Sequence, residues 1–303
     1  MKANYKKYLF VALVIIGLFL FSSCAGTSEV EYKPIDGVKG IGDILVWPMA
    51  ALMWLIGKSI AFEYYGIVIL VATIIVRTLA WPIYAKTNDM TLKMQLMGPE
   101  QAKLEQKYAG KTDPESNQRK QMELMQLYKK YGIGIGGCLL QFVQLPIFIS
   151  FYQTLQRVPK TLGAQYQFDF SFLNTKFFGI DLYATRSAST YQNWGIIILA
   201  ILVGATQIAS QLIATHRQKK AKAQNQASVP VYRQPAQTDV QKQTETTMKI
   251  MMYGMTVMMM FFVYNSTAAL GFYWLVGNLY STLQGYFGYK SSQKRLTHLK
   301  SKI

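Results

Sequence analysis

Long apolar runs alternate with basic, polar stretches along this chain. Five of the runs, residues 63–85, 132–157, 193–215, 248–264 and 265–289, carry few or no charges and read as membrane-spanning helices. An earlier run, residues 41–60, is broken by Pro48, Gly57 and Lys58 and carries Trp47 and Trp54. That pattern predicts an amphipathic helix lying in the membrane interface rather than a span.

The stretches between are read from their breakers and charges. Residues 86–131 are polar and predict a helical hairpin: one helix over 87–108, interrupted at Pro99, and a second beginning at Asp113-Pro114. Asp at the cap followed by Pro in the first helical position is a helix-start signal. Residues 158–192 form a polar, aromatic loop, and residues 216–247, rich in Gln, Lys and Ala without an apolar period, predict a mobile loop. The fold class expected is an all-α polytopic membrane protein with a basic tail over 290–303.

The N-terminus has its own logic. Lys2, Lys6 and Lys7 precede an apolar run over 8–21 and then Ser22-Ser23-Cys24. This is a signal-peptide pattern over residues 1–23, and small residues before a cysteine resemble a lipobox, with Cys24 as the lipidated mature N-terminus. Residues 24–62 then hold an extracytoplasmic tether and the interfacial helix. The alternative is an uncleaved anchor helix with an incidental thiol.

Composition agrees with a membrane protein. Of 303 residues 51% are hydrophobic and only 16% charged, below the roughly 25% usual for soluble chains. The formal charge of +17 resides between and after the apolar runs. Basic residues concentrate in the hairpin, in the 216–247 loop and in the tail, and are sparser between the second and third spans. By the positive-inside rule the three basic regions are cytoplasmic, which sets the N-terminus outside and the C-terminus inside.

Against that background one residue stands out. Arg77 sits in the apolar run of the first span, and a charge in hydrocarbon costs several kcal/mol, about 2.5–3.5 on the lower scales. The first basic anchor beyond it, Lys86, lies nine positions on, about 13 Å at 1.5 Å per residue, and a snorkelling side chain spans only about half of that. Depth therefore favours a polar cavity around Arg77, with snorkelling and local bilayer thinning as the alternative.

Other spans place amides at a similar depth. Gln144, Gln207 and Asn278 lie about 11–18 Å from the cytoplasmic ends of their runs, near the level of Arg77, with Gln141, Gln211 and Gln284 closer to the cytoplasm. Interhelical glue is one reading of such amides. A water-filled groove open to the cytoplasm is the other, and it accommodates Arg77, because no Asp or Glu in any span interior can pair with it. Seven methionines between Met248 and Met260 suit either packing or contact with varied apolar partners.

Several chemistries are missing. The glycine cluster 132–137 lacks a following lysine, so it is no phosphate loop, and His216 and His298, the two histidines, lie outside the spans. The two cysteines, Cys24 and Cys138, give no disulfide framework and no metal site. Neither catalysis nor a cofactor is expected, and a coupling ion would need an intramembrane carboxylate.

Four groups of residues resemble the YidC/Oxa/Alb membrane insertase family, in particular its short, lipoprotein-type Gram-positive members. They are Val76-Arg77-Thr78-Leu79-Ala80-Trp81-Pro82 with Lys93-Met94-Gln95 and Pro99-Glu100; Tyr128-Lys129-Lys130-Tyr131-Gly132; Gly137-Cys138-Leu139 with Gln144-Leu145-Pro146-Ile147-Phe148; and Tyr273-Trp274 with Asn278 and Gln284. Departures at Ile133-Gly134, Leu140 and Thr267-Ala268-Ala269 touch local turns. The resemblance implies an insertase and chaperone whose groove, lined by Arg77, Gln141, Gln144, Gln207, Gln211, Tyr273, Trp274 and Asn278, attracts the polar tail of a nascent membrane protein. It also implies the ribosome, the Sec translocon and anionic lipids as partners, a monomer as the working unit and a location in the cell membrane.

Two other functions compete. An anion channel or transporter would use Arg77 as its solute site, but the chain lacks inverted repeats and coupling acids. A purely structural subunit of the translocon would not need a buried charge.

Overall fold

Eight α-helices dominate the computed structural model, which describes residues 32–40, 42–60, 63–111, 113–133, 144–185, 190–227 and 239–300. The expected signal peptide, Cys24, Cys138 and Gln141 lie outside the described residues. In chain order the helices are α1 (Asp43–Ser59), α2 (Tyr65–Leu79), α3 (Trp81–Lys107), α4 (Pro114–Lys130), α5 (Gln144–Arg157), α6 (Thr190–Ala227), α7 (Asp239–Tyr264) and α8 (Ala268–Lys300). A two-stranded antiparallel hairpin, β1 (Lys176–Phe177) and β2 (Ile180–Asp181), lies in the loop before α6.

Helix boundaries depart from the sequence reading in four places. The run over 63–85 is not one straight helix: it breaks at Ala80, and α2 and the start of α3 meet at 55°. Pro82 explains the break, since its ring cannot follow a helical turn and it has no N–H to donate to the Thr78 carbonyl. Conversely, Pro99 does not interrupt α3, which continues to Lys107 through Met, Gln, Leu, Glu, Ala and Lys residues that favour helix. The expected mobile loop 216–247 is helical at both ends, because its Gln, Lys and Ala residues extend α6 to Ala227 and its later part forms the start of α7 at Asp239. The basic tail likewise continues α8 to Lys300.

Among the described residues, Trp194–Arg217 of α6 is the helix long and apolar enough to cross a membrane alone, and the bent α2–α3 pair passes the same test jointly. The five apolar runs thus give one such helix, or two with the bent pair. The described part of α5 is 14 residues long and the apolar part of α7, Lys249–Tyr264, is also short, while the apolar sequence of the continuous helix α8 is interrupted by Asn278, Ser281, Thr282 and Gln284.

The core sits at one end of the molecule. Tyr65, Gly66, Val68, Ile69, Ala72 and Thr73 of α2 are buried, all within its first three turns. They pack with α1, with the C-terminal half of α5 and with the first turns of α8, whose Ala268, Ala269, Leu270 and Tyr273 are buried. Rings fill the gaps: Phe151 stacks on Tyr273 at 4.4 Å, and Phe148 on Trp274 at 5.6 Å with planes 5° apart. α1 buries Val46, Met49, Ala50, Met53 and Ile56 in this core, while Trp47 and Trp54 meet Phe168 of the loop. Arg157 ties the end together, donating to Asp43 Oδ1 at 2.6 Å and to the carbonyls of Lys33 and Pro34.

At the other end α3 and α4 pack side by side. The Asp113 carboxylate caps α4 by accepting the Ser116 N–H at 2.8 Å. Lys130 pairs with Glu100 at 2.8 Å and Lys107 with Glu123 at 2.6 Å. The Lys130 ammonium holds the Glu100 carboxyl below its ordinary range, and burial together with Glu100 pushes the Tyr131 hydroxyl up to about 12.

Candidate functional site

Beyond Thr73 the bundle changes character. No residue of α2 after Thr73 is buried, and the turn bearing Arg77 and Thr78 faces α8 through polar groups. Arg77 Nη1 donates to Ser281 Oγ at 2.5 Å, and the hydroxyls of Thr78 and Tyr280 share a hydrogen bond of 2.8 Å. The guanidinium lies close against α8 because position 277 is glycine: a Cβ there would stand 2.7 Å from Arg77 Nη2. Buried Tyr273 and the Tyr84 side chain lie within reach of the same charge. Arg77 Nε is buried with no hydrogen-bond partner, and among the described residues no carboxylate pairs with Arg77.

The amides do not all join this group. Asn278, one residue past Gly277 and so about 100° around the helix, turns to α6. Its Nδ2 donates to Thr206 Oγ1 at 3.3 Å and lies 3.4 Å from the Val203 carbonyl, which makes it interhelical glue. The same seam continues with Ser210 and Thr282, hydroxyl to hydroxyl at 2.5 Å. Gln211 donates to Thr256 of α7 at 3.1 Å, leaving its Oε1 buried without a partner. Gln284 is buried with its Nε2 unpaired, while Gln207 is half-buried.

Of the remaining expected site residues, Trp274 belongs to the aromatic core, between Phe148 and Phe262. Gln144 is described only as the first residue of α5, and Gln141 lies outside the described residues. Arg77 and Tyr273 are therefore the pair that the structure brings together. Sequence reasoning missed Ser281, Gly277, Thr78 and Tyr280. The available signal was the spacing of Gly277, Ser281, Gln284 and Gly288, which gives α8 a stripe of small and polar residues at helical intervals.

This geometry separates exposed from buried polar positions on one helix. In a chain carrying Cys24→Ser and Cys138→Ser, Ser281→Cys is expected to react with a small charged thiol reagent, because Ser281 is exposed, whereas Asn278→Cys is protected. Equal protection of both, read by mass spectrometry, would show that no water reaches the Arg77 turn.

A profile of the family described as 60Kd inner membrane protein matches residues 56–295, more than half of the chain. The chain belongs to this family. The match spans the helices that carry Arg77, Ser281, Gly277 and Asn278, so the site lies inside the shared region. Similar proteins agree: membrane protein insertase YidC 2 of Bacillus anthracis is 29% identical over 93% of each chain. Membrane protein insertase MisCA of Bacillus subtilis is 29% identical over 92% of this chain and 90% of its own. A YidC insertase of Clostridium tetani is 31% identical over 76% of this chain and 84% of its own. The resemblance read from the short motifs is thereby established at the level of the family.

Proposed function

We propose that this chain is a membrane protein insertase and chaperone acting on nascent membrane proteins, alone or with the Sec translocon, through a hydrophilic groove open to the cytoplasm. The observation that carries the proposal is the setting of Arg77: a guanidinium on an apolar helix, held by a hydroxyl and a glycine contact, with no carboxylate pairing among the described residues. A cation so placed keeps in-plane donors for a visiting carboxylate, which a paired arginine would have spent. The names of the similar insertases support the same activity.

In this arrangement the chain crosses the membrane five times, with a lipidated Cys24 outside and the C-terminus in the cytoplasm. The α3–α4 pair is the cytoplasmic hairpin; its water-exposed ion pairs suit an aqueous setting. The basic end of α8 meets ribosomes or anionic lipid. A client's apolar segment drives insertion by partitioning into lipid, so no nucleotide or cofactor takes part. The 16 residues from Lys249 to Tyr264 span about 24 Å, less than a hydrocarbon core of about 30 Å, and local thinning there would shorten the path of a client's polar tail.

The test is photocrosslinking from position 74, an exposed residue on the turn before Arg77, to a stalled nascent membrane protein. Crosslinks to the nascent chain support insertion. Their absence, together with anion flux in vesicles that Arg77→Ala removes, would establish a channel or transporter instead.

A further inference from the structure

The end of the molecule opposite the hairpin carries an unexplained feature. β1 and β2 are joined by Phe178 and Gly179, both with positive φ, 50° and 77°. Glycine adopts this conformation freely, whereas a bulky residue there is a true outlier. Phe178 is nevertheless 90% exposed; its ring meets the edge of its neighbour Phe177 at 4.6 Å and takes no part in the buried core. A strained residue that the core does not use points to a role outside the core.

The strands holding Phe178 are firmly docked. Phe177, its neighbour, packs on Phe272 of α8 at 5.3 Å and lies so close to α2 that a Cβ at Gly66 would stand 2.3 Å from the ring. Ile180 lies against Gly195 of α6, and the following loop accepts hydrogen bonds from α8, Ala269 N–H to Leu182 O and Ala268 N–H to Ala184 O. Tyr64, just before α2, bridges to Asn174. The tip is therefore held at a fixed level, beside the first turns of α2, α6 and α8.

That level has a meaning for a chain in a bilayer. Trp194 begins the 24-residue apolar segment of α6 and is itself 63% exposed, beside Gly195. Where such a segment starts, the surrounding medium changes from water to lipid, and aromatic side chains favour that boundary. Exposed Lys176, on the strand that leads to Phe178, can reach lipid phosphates from the same place.

We infer that the β1–β2 hairpin is a membrane-surface anchor, with Phe178 and Trp194 seated at the boundary of headgroups and acyl chains in the outer leaflet and Lys176 against the headgroups. The inference rests on the reading that α6 crosses the membrane. It fixes the depth and rotation of α2, α6 and α8 at their outer ends, through Phe177 and Ile180.

The experiment uses the full chain with Cys24→Ser and Cys138→Ser in vesicles of phosphatidylcholine and phosphatidylglycerol. An environment-sensitive dye is placed on Phe178→Cys or, as a comparison, on Leu212→Cys, which is exposed further along α6. Shallow doxyl-labelled lipid is expected to quench the dye at 178 more than deep doxyl does, with emission shifted to the blue and little quenching by aqueous iodide. Quenching by iodide alone at 178, with lipid quenching at 212, would overturn the anchor and leave the membrane-spanning reading intact; such a surface would face water or a protein partner. Lack of lipid quenching at both sites would overturn the span and the anchor together. Phe178→Gly should leave the melting temperature in detergent unchanged or raised, since it relieves the strained φ. A lower value would mean that the ring serves the fold and would overturn the inference.

Discussion

Arg77→Ala is expected to reduce insertion of single-span clients with an acidic N-terminal tail by about 10- to 100-fold, the loss of one charged hydrogen bond worth about 1.5–3 kcal/mol. Clients with neutral tails should lose far less. The asymmetry follows from the site: Arg77 bonds the Ser281 hydroxyl and pairs with no described carboxylate, so removing it leaves no buried acid unpaired. Protein abundance should stay near normal for the same reason. Arg77→Lys should fall between, since an ammonium cannot present the planar fork that grips a carboxylate. Gly277→Val is expected to mimic the loss with the charge still present, because a side chain at 277 would occupy the place of the guanidinium. Pulse-labelled insertion of a matched pair of clients measures all three; equal loss for acidic and neutral tails would refute the electrostatic attraction.

Asp43→Ala is expected to destabilise the opposite end of the molecule by about 1.5–3 kcal/mol, the loss of a charge-assisted hydrogen bond at a half-buried ion pair. Asp43 and Arg157 have side chains only 16% and 13% exposed and meet at 2.6 Å. Without the carboxylate, Arg157 keeps, among the described residues, the Lys33 and Pro34 carbonyls, and the segment before α1 is held less firmly to α5. The pair also sets a pH dependence. The hydrogen bond from Arg157 holds the Asp43 carboxyl below its ordinary range. A carboxyl lowered by folding contributes stability above its unfolded value, about 3.9, and that contribution fades as pH falls through the lower folded value. The melting temperature in detergent should therefore drop on acidification below about pH 4 in the parent, and by a smaller amount in Asp43→Ala, which keeps the other carboxyls lowered by folding, Glu100 among them. Identical acid profiles would show that the pair does not titrate with folding.

How far the site could be read in advance differed by residue. Arg77 stood out because a lone charge in an apolar run violates the composition of its surroundings, which needs no partner to be noticed. Its neighbours did not stand out. Ser281 and Gly277 are small and common in helices, and their meaning comes from facing α2, a matter of how two helices rotate against each other. The level of Arg77 and Asn278 can be counted along their helices, yet a level along the axis says nothing about azimuth. Asn278 turns to Thr206 and Arg77 to Ser281 from adjacent positions on α8.

The fold shows the same division. Apolar runs, breakers and basic blocks marked where helices lie, and Asp113-Pro114 marked the start of α4, because such signals act within a few residues. Helix extent over polar stretches was hidden: Gln, Lys and Ala read as a loop when no apolar stripe is present, although their intrinsic preference carries α6 to Ala227. The bend at Ala80 needed Pro82 and a bundle in which α3 could leave at 55°.

By itself, then, the sequence determined the helical membrane class, the family and the lone charge on which the proposed function rests, since all three rest on composition and short-range pattern. Only the tertiary structure decided which polar groups meet that charge, which serve as glue between α6 and α8, and that a strained Phe178 is held beside the N-terminal ends of α2, α6 and α8. These depend on helix rotation and on contacts between residues far apart in the chain, such as Arg77 with Ser281 and Asp43 with Arg157, which no local pattern encodes.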